Sequence, residues 1–429
     1  MRADDPFLDR YAKGTRSMTA SEIRALFAVA ARPEIVSLAG GMPFTAALPF
    51  DVVGDVLDEV IAKEGPSALQ YGGGQGDPRL CEAVLELMAH GGIHASAEHV
   101  VITVGSQQAL DLLARMFCDP GDVIVAEGPS YVGALSAFSQ YQVDVRHVPL
   151  DDEGLVPEAL DETLRGLERE GRRVKFLYTV PNFHNPAGVT LAEHRRDRVL
   201  ELARRHDVLI VEDDPYGMLG FESDPPSALR ARDAENVVYL GTLSKTFCPG
   251  LRVGWALVPP ALRERLVLVA EAANLSHSNF TQAVAYRYLS GYPWQETLKS
   301  LRDVYRERRD AMLEALAEDF PPGARWTTPQ GGFYVWVRLP DDLDARAMLA
   351  KAITARVAYV PGAAFYADGQ GGASLRLSYC FPPPERIREG VRRLASVVAE
   401  ELDLLRALGG VPVPDPEDDT DQLPGWGGV

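Results

Sequence analysis

The chain has 429 residues, 46% apolar and 24% charged, with 43 Lys and Arg against 61 Asp and Glu, a net charge of −18. At about 150 residues per domain that length suggests two or three domains, and the composition excludes a disordered, collagen-like or coiled-coil protein. So acidic a chain is a poor match for nucleic acid or an anionic membrane, and neither is an expected partner.

The first residues lack the apolar stretch of a signal peptide, and no apolar run reaches the roughly 18 residues of a membrane helix. The four cysteines, Cys81, Cys118, Cys248 and Cys380, are far apart and form no Cys-x-x-Cys. That is no disulfide scaffold and fits a reducing cytoplasm. Between residues 95 and 260 short β-branched runs alternate with helical stretches. Val100–Val104 leads into a helix to Cys118. Val123–Val125, Val174–Val180, Val208–Val211 and Val237–Leu240 follow, with a helix over Leu191–His206. This alternation predicts an α/β fold, a mostly parallel sheet with helices on both faces. In such sheets ligands bind beyond the carboxyl ends of the strands.

From about residue 300 the texture changes. A long Arg-rich helix over Leu301–Phe320 precedes Gly332–Val337, which alternates like a half-exposed strand, and then Val357–Val360 and Leu375–Ser378. The expected division is 1–50 as N-terminal arm and part of a small α+β domain, 51–297 as the large domain and 298–408 as the rest of the small domain. Residues 409–429 are acidic and rich in Pro and Gly, and are expected to be a disordered tail.

The strand ends hold the chemistry. Gly105-Ser106-Gln107 opens a helix, where free N–H groups and a hydroxyl bind anions, although an ordinary cap would look the same. Asn185-Pro-Ala-Gly188 is a turn signal that also leaves an amide at a strand end. Glu212-Asp213-Asp214-Pro-Tyr216 puts three acids after a core strand, which is costly without a positive partner. Thr242-Leu-Ser244-Lys245, with Arg252 seven residues on, combines hydroxyls, a lysine and an arginine. Hydroxyls beside an arginine make a phosphate cup, and an electropositive site depresses a lysine's pKa and makes it nucleophilic. A nucleophilic lysine, an acid and a phosphate cup in one site are what pyridoxal phosphate requires.

In this order along the chain the motifs resemble the class I/II (fold-type I) pyridoxal-phosphate aminotransferases. The similarity runs from about Ala20 to Ala399 and is nearest the 2-aminoadipate/kynurenine branch. It is carried by Ser37-Leu-Ala-Gly-Gly41-Met-Pro43, Leu69-Gln-Tyr71-Gly, Gly128-Pro-Ser-Tyr131, Asn185-Pro-Ala-Gly188, Asp213-Asp-Pro-Tyr216, Ser244-Lys245-Thr and Pro249-Gly-Leu-Arg252.

The resemblance implies that the mostly parallel sheet of the large domain has seven strands, and that Lys245 is the Schiff-base lysine and proton shuttle. It implies that Asp213 pairs with the pyridine nitrogen, that Asn185 and Tyr216 contact the phenolic oxygen, and that Tyr131 stacks on the ring. Ser106, Gln107, Thr242, Ser244 and Arg252 would hold the phosphate; Thr242 stands where relatives usually carry Ser, and the hydroxyl survives. Tyr71 would reach the neighbouring subunit's phosphate, implying a homodimer with shared sites. Arg376 would grip the substrate α-carboxylate beside the main chain of Gly40 and Gly41, and Arg24 would contact the substrate side chain.

The expected reaction is ping-pong transfer of an amino group from an L-amino acid to a 2-oxo acid, 2-oxoglutarate being the expected acceptor, with no metal. β-Lyase, decarboxylase or oxidase/hydroxylase chemistry is possible on the same scaffold. A ligand-sensing regulator with a winged helix is disfavoured by the acidic charge and by the roughly 35 residues ahead of Ser37, too few for such a domain. Gly72-Gly-Gly-Gln-Gly76 does not give the Gly-x-Gly-x-x-Gly of a dinucleotide site.

Overall fold

The computed structural model describes residues 5–16, 32–340 and 343–408. Arg24 and the acidic tail at 409–429, both singled out above, lie outside the described residues.

Fourteen strands are described. In chain order they are β1 (Val36–Ser37), β2 (Val100–Thr103), β3 (Val123–Gly128), β4 (Asp144–Asp151), β5 (Gly154–Leu155), β6 (Val174–Thr179), β7 (Leu209–Asp213), β8 (Val237–Thr242), β9 (Gly254–Leu257), β10 (Arg325–Trp326), β11 (Tyr334–Arg338), β12 (Val357–Ala358), β13 (Val360–Pro361) and β14 (Ser374–Ser378). The large sheet runs β2-β9-β8-β7-β6-β3-β4-β5. Its centre, β8 through β4, is parallel, and β2, β9 and β5 join antiparallel. The expected count of seven is exceeded by one. The extra strand is the two-residue β5, which folds back on β4 and is too short to leave a hydrophobic pattern.

Burial on both sides explains the unbroken apolar runs. Along β3, Val123 and Val125 pack on one face with Leu160, Leu164, Val199 and Leu200. Ile124 and Ala126 pack on the other with Leu110, Leu113 and Phe138. Helix α1 (Ser106–Phe117) and helix α2 (Val132–Ser139) belong to that second layer. β7 and β8 run further than their apolar runs suggest, so Glu212, Asp213 and Thr242 lie inside strands rather than after them.

The second sheet, β10-β11-β14-β13, is antiparallel. Most of its apolar side chains share one core with helix α3 (Trp294–Asp319) and helix α4 (Pro384–Ala407), which pack on each other. β11 is not half-exposed as its alternation suggests: Tyr334–Val337 are all buried. Tyr334, Val335 and Val337 join the core that holds α3 and α4, while Trp336 faces the cluster around β3. The segment from residue 36 is stitched into this unit. β1 pairs with β12 in parallel, and Ser378 donates its N–H to the Leu38 carbonyl at 2.7 Å. The chain then enters the cleft beside the strand ends.

Candidate active site

The carboxyl end of β2 turns into α1 through Gly105. Its φ of +76° is a backbone state that favours glycine, and a Cβ there would meet the Arg252 guanidinium at 2.6 Å. Arg252 itself adopts a left-handed conformation, φ +55°, after the turn Pro249–Leu251. Its guanidinium donates to the Val104 carbonyl at 3.1 Å and to Ser244 Oγ at 3.4 Å. Thr242 Oγ1 lies 2.9 Å from Ser244 Oγ, donates to the Val253 carbonyl at 3.1 Å and accepts the Ser244 N–H at 3.1 Å. A helix start, three hydroxyls (Ser106, Thr242 and Ser244) and a guanidinium therefore converge on one spot, which suits a dianion.

The three consecutive acids have different fates. Glu212 accepts the N–H groups of Leu229 and Arg230 at 2.9 and 2.8 Å. Asp214 accepts from Asn182 Nδ2 at 3.1 Å, from Tyr239 at 3.2 Å and from the Gly217 N–H at 2.9 Å. Asp213 accepts from the Tyr178 hydroxyl at 3.0 Å through Oδ2, while its buried Oδ1 has no partner among the described residues. Burial pushes the Asp213 carboxyl up to about 7, against the Tyr178 hydrogen bond, and Asp214 adds to the rise.

Lys245 Nζ donates to the Gly41 carbonyl at 3.1 Å. Its pKa is lowered to about 8, first by burial and then by Arg376 and Arg252, with Cys380 and Asp213 opposing. The electropositive surroundings inferred from sequence are thus a secondary cause, and burial is the main one. Arg376 rises from β14, donates to Asn185 Oδ1 at 2.9 Å and to the Ala39 carbonyl at 2.8 Å, and lies 4.2 Å over the Tyr334 ring. Its buried Nε has no partner among the described residues.

A cleft of about 290 Å³ gathers these groups. Ser106, Gln107, Tyr131, Asn185, Asp213, Tyr216, Thr242, Ser244, Lys245, Arg252, Arg376 and Gly41 all line it. Tyr131 donates to Gln107 Oε1 at 3.3 Å, and Gln107 Nε2 donates to the Gly133 carbonyl at 2.7 Å. Two expected residues are not among the lining. Gly40 is buried behind Gly41, with its carbonyl 3.6 Å from Cys380 Sγ. Tyr71 is 77% exposed in the loop that Asn279 holds through the Gln70 carbonyl.

Met42, Val132, Val180, Pro215, Pro249 and Tyr334 line the cleft without having been given a role from the sequence. Tyr334 matters most: its oxygen is 3.5 Å from that of Tyr216. On an alternating strand it reads as an ordinary core aromatic, and only its pairing beside Arg376 reveals its place. Among the described residues, no group of His, Cys, Asp and Glu is arranged to hold a metal ion, and no helix is long and apolar enough to cross a membrane.

Residues 34–394 match the family described as aminotransferase class I and II. The aromatic-amino-acid aminotransferase 1 of Thermococcus litoralis is 43% identical over 387 residues, covering 90% of this chain and 93% of that protein. The solved structure of the Pyrococcus horikoshii kynurenine aminotransferase, in complex with PMP, with KYN as substrate and KYA as product, superposes with a TM-score of 0.88. It is 42% identical and covers 92% of this chain and 98% of its own. The α-aminoadipate aminotransferase of Thermus thermophilus, complexed with N-(5'-phosphopyridoxyl)-L-leucine, superposes with a TM-score of 0.85. It is 36% identical and covers 92% of this chain and 99% of its own.

Proposed function

This chain belongs to the class I and II aminotransferases, and from that premise we propose that it takes the amino group of aromatic and long-chain L-amino acids and passes it to 2-oxoglutarate by ping-pong half-reactions. It is an enzyme of amino-group transfer, and its cofactor is pyridoxal 5'-phosphate. The donor class rests on the relatives named for aromatic, kynurenine and aminoadipate transfer. The apolar part of the cleft, Met42, Val132, Val180 and Pro215, supports it.

The residues fit the cofactor. A buried carboxylate with one oxygen unpaired suits a protonated ring nitrogen. The hydroxyl and guanidinium cup suits a phosphate. A lysine lowered to about 8 suits an amine that must shed its proton near neutrality. The unpaired Asp213 Oδ1 is the observation that carries the reading.

Bound there, the cofactor supplies an electron sink for charge developing at the substrate Cα. Asp213 holds the proton on the ring nitrogen. Asn185 and Tyr216 donate to the phenolic oxygen, and Tyr131 covers the ring. Ser106, Gln107, Thr242, Ser244 and Arg252 hold the phosphate. Arg376, its plane set between the rings of Tyr334 and Phe365, orients the substrate α-carboxylate. Lys245 Nζ would take the proton from the substrate Cα and return it to the carbon on the far side of the amino nitrogen, two bonds away. Asp213 and Tyr216 are buried and Lys245 is half-buried, which limits the water that can compete for these protons.

The same reading makes the protein a cytoplasmic homodimer, with Tyr71 completing the partner's phosphate site; the exposure of Tyr71 is in keeping with this. It divides the chain at residues 50 and 297, and the β1–β12 pairing supports assigning the N-terminal segment to the small domain.

A donor panel of phenylalanine, tyrosine, kynurenine, 2-aminoadipate, leucine and aspartate, with 2-oxoglutarate as acceptor and chromatographic detection of products, tests it. Preference for the aromatic and six-carbon donors with glutamate formed is expected. Preference for aspartate, or no glutamate, would overturn it.

A further inference from the structure

The geometry points to Tyr334 as a positioning residue whose hydroxyl sets the proton affinity of the Lys245 nitrogen in the loaded enzyme, acting through Tyr216. This rests on the pyridoxal-phosphate reading of the cleft and deepens it.

Two contacts single out the hydroxyl rather than the ring. The Tyr334 and Tyr216 oxygens are 3.5 Å apart, with Tyr216 donating, and their rings meet edge to face with centroids 6.0 Å apart. Gly41 makes room for the hydroxyl, since a Cβ on it would overlap the Tyr334 oxygen. The Gly41 carbonyl accepts from Lys245 Nζ, so the same residue touches both ends of the proposed link. Phenylalanine would serve as well for packing and for supporting the Arg376 guanidinium 4.2 Å above the ring. The hydroxyl is buried with Tyr216, where an unpaired polar atom is costly.

A phenol has one proton. When Tyr216 gives its proton to the phenolic oxygen of the cofactor, its own oxygen becomes an acceptor, and the Tyr334 hydroxyl is already beside it. Tyr334 then donates to Tyr216, and each bond polarises the next because both tyrosines are buried. The sign follows. Negative charge on the phenolic oxygen retains a proton on the Lys245 nitrogen. Donors that neutralise that charge let the proton leave at lower pH. Tyr334 therefore lowers the pH at which the lysine nitrogen deprotonates.

The test is a spectrophotometric pH titration of the visible band of the cofactor-loaded protein. The variants are Tyr334→Phe, Gly41→Ala and the double variant. The midpoint should rise by roughly half a pH unit in Tyr334→Phe, about threefold in proton affinity. Gly41→Ala should raise it in the wild-type background and much less in Tyr334→Phe, because the overlapping oxygen is gone. An unmoved midpoint in Tyr334→Phe overturns the inference, as does a Gly41→Ala shift of equal size in both backgrounds. A wild-type protein that forms no titratable band with the cofactor overturns instead the reading beneath it.

Discussion

Glu212 and Asp213 are neighbours on β7, both buried, and burial raises both carboxyls to about 7. They differ in partners. Both oxygens of Glu212 accept backbone N–H groups, closing the start of the short helix Leu229–Arg232. Asp213 leaves Oδ1 unpaired among the described residues. The same contrast separates two buried arginines. Arg196 donates from Nε to the Leu191 carbonyl at 3.1 Å, and from its two terminal nitrogens to the Ser227 carbonyl at 3.0 Å and Asn182 Oδ1 at 2.7 Å. Arg376 has its Nε unpaired among the described residues. In each of these two pairs the residue outside the cleft lining is satisfied and the residue lining the cleft is not. A raised pKa does not separate Glu212 from Asp213, whereas an unfilled hydrogen-bonding position does. Unpaired buried polar atoms also occur away from the cleft, at Trp255 and Tyr288 for example, and what marks the site is that two of them, on Asp213 and Arg376, face one cleft with Lys245.

The widest separation should come from Lys245→Ala, which removes the group that moves the proton. Turnover should fall by a factor on the order of 10⁴ or more, with loss of the cofactor's visible band. Next, Asp213→Asn should lower kcat by about 10²- to 10⁴-fold. Glu212→Gln, one residue away, should leave kcat within a fewfold and lower stability by about 1–3 kcal/mol, because one backbone N–H loses its acceptor. If the two variants behave alike in activity and melting temperature, the contrast between them is wrong.

Arg376→Lys should raise the KM for the amino donor about 10- to 100-fold through loss of the fork. Arg196→Met should act on melting temperature instead, because it strands three buried acceptors.

The smallest effect is on pH dependence of the cofactor-free protein. Folding raises the Asp213 carboxyl from 3.8 to about 7, so the native state binds its proton more tightly. Its contribution to stability is complete below about pH 4 and is lost as the pH rises towards 7. Asp213→Asn should flatten that slope in denaturant titrations across this window, and an unchanged slope would show the carboxyl to be unperturbed.

The sheet and most of the cleft can be read from the sequence because both sit where short apolar runs end. Val174–Thr179, Leu209–Asp213 and Val237–Thr242 lead to Asn185, Asp213 and Lys245 in turn. What escapes notice is what long-range pairing decides. No local pattern shows that Glu212 is satisfied by Leu229 and Arg230 and Asp213 is not, since both are acids after the same valine. Tyr334 escapes because β11 crosses to β14 and sets it under Arg376 only in three dimensions. β5 is two residues long and has no pattern of its own. Tyr71 and Arg24 rest on resemblance alone; the first stands apart from the cleft and the second lies outside the described residues.

The cleft is built to transfer an amino group between an amino acid and a 2-oxo acid. Mixing the cofactor-loaded protein with one amino donor and no acceptor tests it most directly. One equivalent of 2-oxo acid per site should appear, the cofactor spectrum should shift to the pyridoxamine form and stop there, and added 2-oxoglutarate should reverse it. Continuous release of ammonia or carbon dioxide from the donor alone, with no such spectral shift, would contradict the claim.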